Sequence, residues 1–246
     1  MTDFNPANDT PDWYNQILGH FGVESVDCSF EELKNCARLL TAAKPDQVVK
    51  RWHTGIIQNL VKHGDSLIDL GCGDGELLAH LAYTCNCWIQ GIERDEAMVN
   101  RCIERGVPVC HAELIDVLDL IPDKSYTWAV LEDTIQTLTR PLETLEKMLR
   151  VANKSIVTFP NFAHWSVRFT FSVGGRMPVT KSLPYKWYNT PNIHLCSISD
   201  FLDWVKVENV HIIDSWCFTE GRIEHFDIAK GHNITAEQVM FIIEKK

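Results

Sequence analysis

From residue 66 onward, short apolar runs alternate with stretches whose apolar positions recur every three or four residues. Residues 66–70 (SLIDL), 87–93 (CWIQGIE), 107–113 (VPVCHAE), 127–133 (TWAVLED) and 155–160 (SIVTFP) have the length and composition of buried strands. Residues 75–84 (GELLAHLAYT), 96–105 (EAMVNRCIER) and 141–151 (PLETLEKMLRV) carry the helical period between them. Strands alternating with helices predict right-handed βαβ units and a mostly parallel sheet covered on both faces. A further helix is expected over 197–207 (SISDFLDWVKV), then a closing pair of strands, 210–218 (VHIIDSWCF) and 238–246 (QVMFIIEKK), in antiparallel pairing.

The flanks follow other rules. Residues 1–28 read as a loosely ordered arm broken by Pro6 and Pro11. Ser29 and Glu32 have capping-box spacing and open a helix that ends near Pro45; a second helix is expected from Asp46 to Lys62, stopping at Gly64. Residues 160–197 have neither period and read as irregular, stiffened by Pro178, Pro184 and Pro191. The expected organisation is therefore an arm and helical cap over 1–62, and one ligand-binding domain over 63–246 with 160–197 as an aromatic and basic lid.

Composition narrows the function classes. The 246 residues are 45% hydrophobic, enough to bury the core of one large α/β domain. A net charge of −10 argues against general nucleic-acid binding. No apolar run is long enough to span a membrane, and the polar, acidic N-terminus lacks the blocks of a secretion signal, so a cytoplasmic setting is expected. Nine scattered cysteines include no CxxC pair, only Cys85 and Cys87 as a lone CxC, so no metal site is expected.

The sharpest chemical signal is the first strand–helix turn, Asp69-Leu70-Gly71-Cys72-Gly73-Asp74-Gly75. Glycines at this place let a ligand lie against main-chain N–H groups at a helix start. A pyrophosphate would not tolerate Asp69 and Asp74 around it, so these acids point to a ligand carrying an amine. Glu93, 18 residues after Gly75, ends the second predicted strand, where an acid holds a ribose diol. A nucleoside with a ribose, no phosphate and an α-amino group is S-adenosylmethionine or its product S-adenosylhomocysteine. Glu113 follows the third strand, where it serves either the adenine amino group or the solvated surface. Glu132 and Asp133 end the fourth, where a sulfonium methyl would lie; they fit a sulfonium, a substrate amine, a partner's lysine, or simply a helix N-terminus.

Residues 66–218 resemble the MetW family of methionine-biosynthesis proteins. The matching blocks are LIDLGCGDGELL (67–78), GIERDE (91–96), TIQTLTRP (134–141), FPNFAHWSVR (159–168) and GRMPVTKSLPYKWYNTPNIHLCSISDF (175–201). The glycine block alone identifies a class I methyltransferase fold; the last block is specific to the family. The resemblance implies a Rossmann-like, seven-stranded methyltransferase sheet binding S-adenosylmethionine through Asp69, Gly71, Gly73, Gly75 and Glu93. It also implies association with, and support of, homoserine O-acyltransferase. The chain departs from the family pattern in its residues 1–62, in Thr127 where an aspartate is expected, and in Glu132-Asp133 in place of a neutral polar pair.

Methyl transfer from a sulfonium needs orientation above all, and a general base only if the acceptor must lose a proton. His164, His194 and Tyr188 are the candidates for that base, against a structural role for each. The alternative to catalysis is binding: Phe162, Trp165, Phe169, Tyr185, Trp187 and Tyr188 interleave with Arg168, Arg176, Lys181 and Lys186, the residue types that anchor interfaces. The 160–197 segment is thus expected to cover the substrate end of the cofactor site and to dock the acyltransferase on its outer face. An autonomous methyltransferase acting on a small molecule is the competing reading.

Overall fold

A computed structural model describes residues 51–246. The arm, the helix capped by Ser29 and Glu32, and the expected start of the second helix at Asp46 lie outside the described residues. Within them, α1 is shorter than expected: it spans Thr54–Leu60, after a turn over Arg51, Trp52 and His53.

The sheet strands are β1 (Ser66–Leu70), β2 (Trp88–Glu93), β3 (Val109–His111), β4 (Tyr126–Glu132), β5 (Ala152–Pro160), β6 (Val210–Thr219), β7 (Arg222–His225) and β8 (Gln238–Lys245). Their order is β3-β2-β1-β4-β5-β8-β6-β7. β1 to β5 pair in parallel, and β8 enters antiparallel between β5 and β6. The closing antiparallel pair is as read from the sequence.

The eighth strand is an addition to the seven expected. β7 returns on β6 through Glu220 and Gly221, whose φ values of 50° and 82° are those of a tight hairpin turn that follows strand twist. Four residues with weak alternation gave no readable period.

The crossover helices are α2 (Glu76–Cys85), α3 (Glu96–Glu104), α4 (Leu114–Leu118) and α5 (Pro141–Val151). After β5 come α6 (Trp165–Gly174), α7 (Ile198–Val207) and, between β7 and β8, α8 (His232–Thr235). α6 corrects the expectation that 160–197 is irregular throughout. His164 caps its start, with Nδ1 accepting from the Ser166 amide, and Gly175 ends it at φ 60°. Its β-branched and aromatic residues, WSVRFTFSV, obscured the helix in the sequence. α7 opens on a true capping box between Ser197 and Asp200.

Strand alternation builds two apolar layers, one on each face of the sheet. Ile68, Leu70, Ala129, Leu131, Val157 and Phe159 join one, with α4, α5 and α7 packed on it. Leu67, Trp128, Val130 and Ile156 join the other, with α1, α2, Cys102 of α3 and Trp52. β1 is covered on both sides, so Asp69 is a carboxylate inside a wall of hydrocarbon.

Candidate functional site

The glycine loop, Glu93 and Glu132 lie at the C-terminal ends of β1, β2 and β4, where parallel α/β sheets place their ligands. The amides of Gly71 and Cys72 both donate to the Ile92 carbonyl, at 2.9 and 3.1 Å, tying the glycine loop to β2. Gly71 has φ 81°, and a Cβ there would meet the Thr134 side chain at 2.9 Å. Gly73, at φ 56°, has nothing within 4 Å of such a Cβ. The loop is therefore packed at Gly71, whereas at Gly73 no described residue stands where a side chain would be.

Asp69 is 2% exposed, and among the described residues its Oδ1 has no hydrogen-bond partner. Burial, reinforced by the charge on Glu132, pushes its carboxyl well above the usual range. A buried acceptor left unpaired costs about 1–3 kcal/mol, so this oxygen favours a cationic donor.

Glu93 is engaged from both oxygens. Oε1 accepts the Arg94 and Asp95 amides at 2.8 and 2.9 Å, and Oε2 accepts the Gly73 amide at 2.9 Å. A carboxylate offers about four lone-pair sites, so Oε2 keeps one for a hydroxyl. Glu93 thus fixes the open glycine of the loop. Glu113 is exposed, 3.7 Å from the Arg94 guanidinium.

Glu132 is already compensated. Arg51 Nε lies 3.2 Å and His53 Nε2 3.1 Å from Glu132 Oε1. Burial pushes this carboxyl up, but His53 and Arg51 outweigh it and hold it below its ordinary value. The neighbouring Asp133 is pushed up to about 6, chiefly by burial. Its Oδ1 accepts from Thr158 Oγ1 at 3.3 Å.

Arg51 and His53 are site residues that sequence reasoning missed. Trp52 between them stacks on Phe218 at 6.0 Å and donates from Nε1 to Gln238 Oε1 at 2.7 Å. That anchor turns its two neighbours toward Glu132. Arg51 also lies 3.8 Å from Asp74, which pairs with Arg105 at 2.8 Å. The available signal was a tryptophan flanked by two basic side chains, but it fell within an expected helix.

The catalytic candidates do not converge. His164 uses Nδ1 on the start of α6, and burial pushes it down to about 4, so it is neutral at pH 7. His194 is exposed, and its amide donates to the Gln136 carbonyl. Tyr188 is exposed, edge-on to Trp187, with Lys186 5.8 Å above its ring. Among the described residues, none of the three hydrogen-bonds to Asp69, Glu93, Glu132 or Asp133. The Cys72 thiol is buried, and burial pushes its pKa far up, which disqualifies it as a nucleophile.

Three hollows adjoin the 160–197 segment among the described residues; one, of about 280 Å³, is lined by His194, Leu195 and Cys196 with Ile135, Leu145 and Phe201. A cavity of about 290 Å³ runs from Asp133 and Gln136 to Lys181, Tyr185 and Asn192. A larger apolar groove of about 520 Å³ lies between α6 and the segment that follows it. Elsewhere, Cys217, Glu224 and His232 bring three metal-ligating atoms within 4.8 Å of one another. His232 Nδ1, however, already accepts the Asp227 amide at 2.8 Å, so hydrogen bonding accounts for its placement.

Comparison with known proteins places this geometry. The sequence model of the family described as "Methionine biosynthesis protein MetW" matches residues 51–243. A curated relative from Rhodopirellula baltica, the "Bifunctional methionine biosynthesis protein MetXA/MetW", is 29% identical over 201 residues. That alignment takes in 78% of this chain but only 31% of the relative's length. Among solved structures, a SAM-dependent methyltransferase of Thermotoga maritima, described as a possible histamine N-methyltransferase, superposes with a TM-score of 0.58 at 14% identity. It covers 95% of this chain and 98% of its own. The [4+2]-cyclase SpnF also reaches 0.58 at 14% identity, over 88% of this chain and 93% of its own. At such identities the likeness is one of fold, and a fold shared with a cyclase does not dictate methyl transfer.

Proposed function

Because the chain belongs to the MetW family of methionine-biosynthesis proteins, we propose that it binds S-adenosylmethionine and, as a partner protein, associates with and supports homoserine O-acyltransferase in the cytoplasm. The observation that carries the ligand is Asp69: among the described residues, a buried carboxylate with an unpartnered oxygen under a glycine loop that is open at Gly73. The ligand's α-ammonium supplies the missing donor to Asp69. Gly73 gives its amino-acid portion a surface without a side chain, while Gly71 and Gly75, whose missing side chains would strike Thr134 and Cys102, let the loop turn beneath it. Glu93 would take a ribose hydroxyl on its free lone pair and Glu113 would serve the adenine amino group, while Glu132, paired with Arg51 and His53, would lie on the sulfonium side. When bound, the cofactor brings an activated methyl group; the chain's own residues bind, orient and counter its charge.

The partner is supported by the relative that joins a MetXA part and a MetW part in one chain. Read as an acyltransferase, the MetXA part implies that the two activities work side by side. The test is the homoserine acylation rate of the same organism's acyltransferase with and without this chain, at several S-adenosylmethionine concentrations. The reading expects a higher rate with the chain. It expects Glu93→Ala to abolish any cofactor response while complex formation survives. No rate change and no co-elution would sink it.

A second reading, an autonomous methyltransferase, is favoured by one observation: the cavity of about 290 Å³ beside Asp133, of a size for a small acceptor. It expects methyl turnover with an added acceptor and no partner.

A further inference from the structure

From residue 161 to residue 199 the chain has four cationic side chains, Arg168, Arg176, Lys181 and Lys186, and no carboxylate. Yet 33 aspartates and glutamates are spread over the 246 residues. The acids nearest to it, Asp200 in the Ser197 cap and Glu237, which accepts from Ser182 and the Glu220 amide, lie outside this run. The run is an acid-free, cationic stretch of an acidic protein.

This stretch is also apolar. The groove between α6 and residues 177–197 is lined by Val167, Phe171, Met177, Leu183, Trp187 and Leu195. Leu183 is buried as its floor, whereas Phe171 is 58%, Leu195 60% and Trp187 75% exposed. Scattered exposed apolar side chains are ordinary, but a contiguous aromatic groove that Arg168 lines, with Lys186 next in sequence to its Trp187, is an interaction surface.

The segment does not fold in on its own apolar groups, because it is braced from within. The Thr180 amide donates to the Leu183 carbonyl at 2.9 Å, and the Leu183 amide returns to Thr180 Oγ1 at 3.1 Å. Lys186 and Asn189 close a second turn, and the Ile193 and His194 amides both reach the Gln136 carbonyl. With three prolines besides, little conformational entropy remains to be lost on binding.

We propose that this groove is the docking surface for the acyltransferase, and that it takes an apolar segment flanked by carboxylates on that enzyme. The inference rests on the association stated above and adds its location and chemistry. Phe171 and Trp187 are the anchors; Arg168 and Lys186 steer the acidic flanks and supply the salt dependence.

The test compares full-length wild-type chain with Phe171→Ala, Trp187→Ala and the pair Arg168→Glu with Lys186→Glu. Each is titrated with purified acyltransferase and, separately, with S-adenosylmethionine. The aromatic variants are expected to weaken partner binding at least tenfold, and the charge reversals to slow association and flatten its salt dependence. Cofactor affinity should stay unchanged in all of them, which also reports that they are folded. If wild type and variants bind the partner equally well, the groove is wrong while the association stands. If wild type shows no binding, both readings fall. If the substitutions split a homodimer and leave partner binding intact, the occupant is a second copy of this chain.

Discussion

Asp133 offers a direct measure of how much charge strain the cleft carries. The perturbation is Asp133→Asn, which keeps the side chain's size and its acceptor for Thr158 Oγ1. Asparagine also tolerates the residue's φ of 46°. Burial, with the charge on Glu132, raises the carboxyl from 3.8 to about 6. That shift of roughly two units has a ceiling of about 3 kcal/mol at 1.4 kcal/mol per unit. Because the residue is only half-buried, screening by water leaves about 1–2 kcal/mol. The folded state holds this proton more tightly than the unfolded state. Stability is therefore unpenalised below 3.8, falls as pH rises toward 6, and carries the full penalty above it. The asparagine has no such penalty. Thermal unfolding at pH 7.5 should show the variant melting higher by about 3–6 °C. That gain should shrink steadily between pH 6 and 4. A gain independent of pH, or a variant that melts lower at pH 7.5, would refute the reasoning.

Other expectations follow from the same geometry. Asp69→Asn should leave the fold intact yet weaken S-adenosylmethionine binding about ten- to a hundredfold, since a hydrogen bond to a charged group contributes about 1.5–3 kcal/mol; calorimetric titration checks this, and unchanged affinity removes Asp69 from the site. Gly71→Ala forces a side chain into a positive-φ position against Thr134 and should cost about 1–3 kcal/mol in denaturant unfolding. Trp52→Ala should cost about 3–5 kcal/mol and free Arg51 and His53 from Glu132, readable as a rise in the Glu132 pKa; a loss below about 1 kcal/mol would mean the turn is held by other contacts.

The sheet was legible because its signal is local and doubled. β1 runs from Ser66 to Leu70, as its apolar run predicts, and α5 from Pro141 to Val151, as its period and N-terminal proline predict. The glycine loop was legible because positive φ leaves few alternatives to glycine. What escaped was set by distance or by competing propensities. α6 is written in residues that favour strands, and its cap is a histidine, which is not among the usual capping residues. β7 is four residues long and depends on β6 for its existence. Arg51 and His53 reach Glu132 only because Trp52 is anchored 186 residues away on Gln238, a contact no spacing rule contains. His164 looked like a base by residue type, and its environment makes it a buried cap.

Gln136 is where the proposed cofactor cleft and the proposed docking groove come closest to sharing machinery. Its carbonyl receives the Ile193 and His194 amides at 2.7 and 3.0 Å, and its side-chain Nε2 donates to the Asp133 carbonyl at 2.6 Å. Its Oε1 is buried without a partner among the described residues. A partner that shifts residues 193–194 must strain two hydrogen bonds to the turn that also holds Asp133. Each such bond contributes about 1 kcal/mol net. Their sum is of the size of ordinary allosteric coupling, about 1–3 kcal/mol. Linkage then makes the effect reciprocal: whatever factor the acyltransferase imposes on cofactor affinity, the cofactor imposes on acyltransferase affinity. If both proposed sites hold, Gln136 is the link through which cofactor level would reach the partner enzyme.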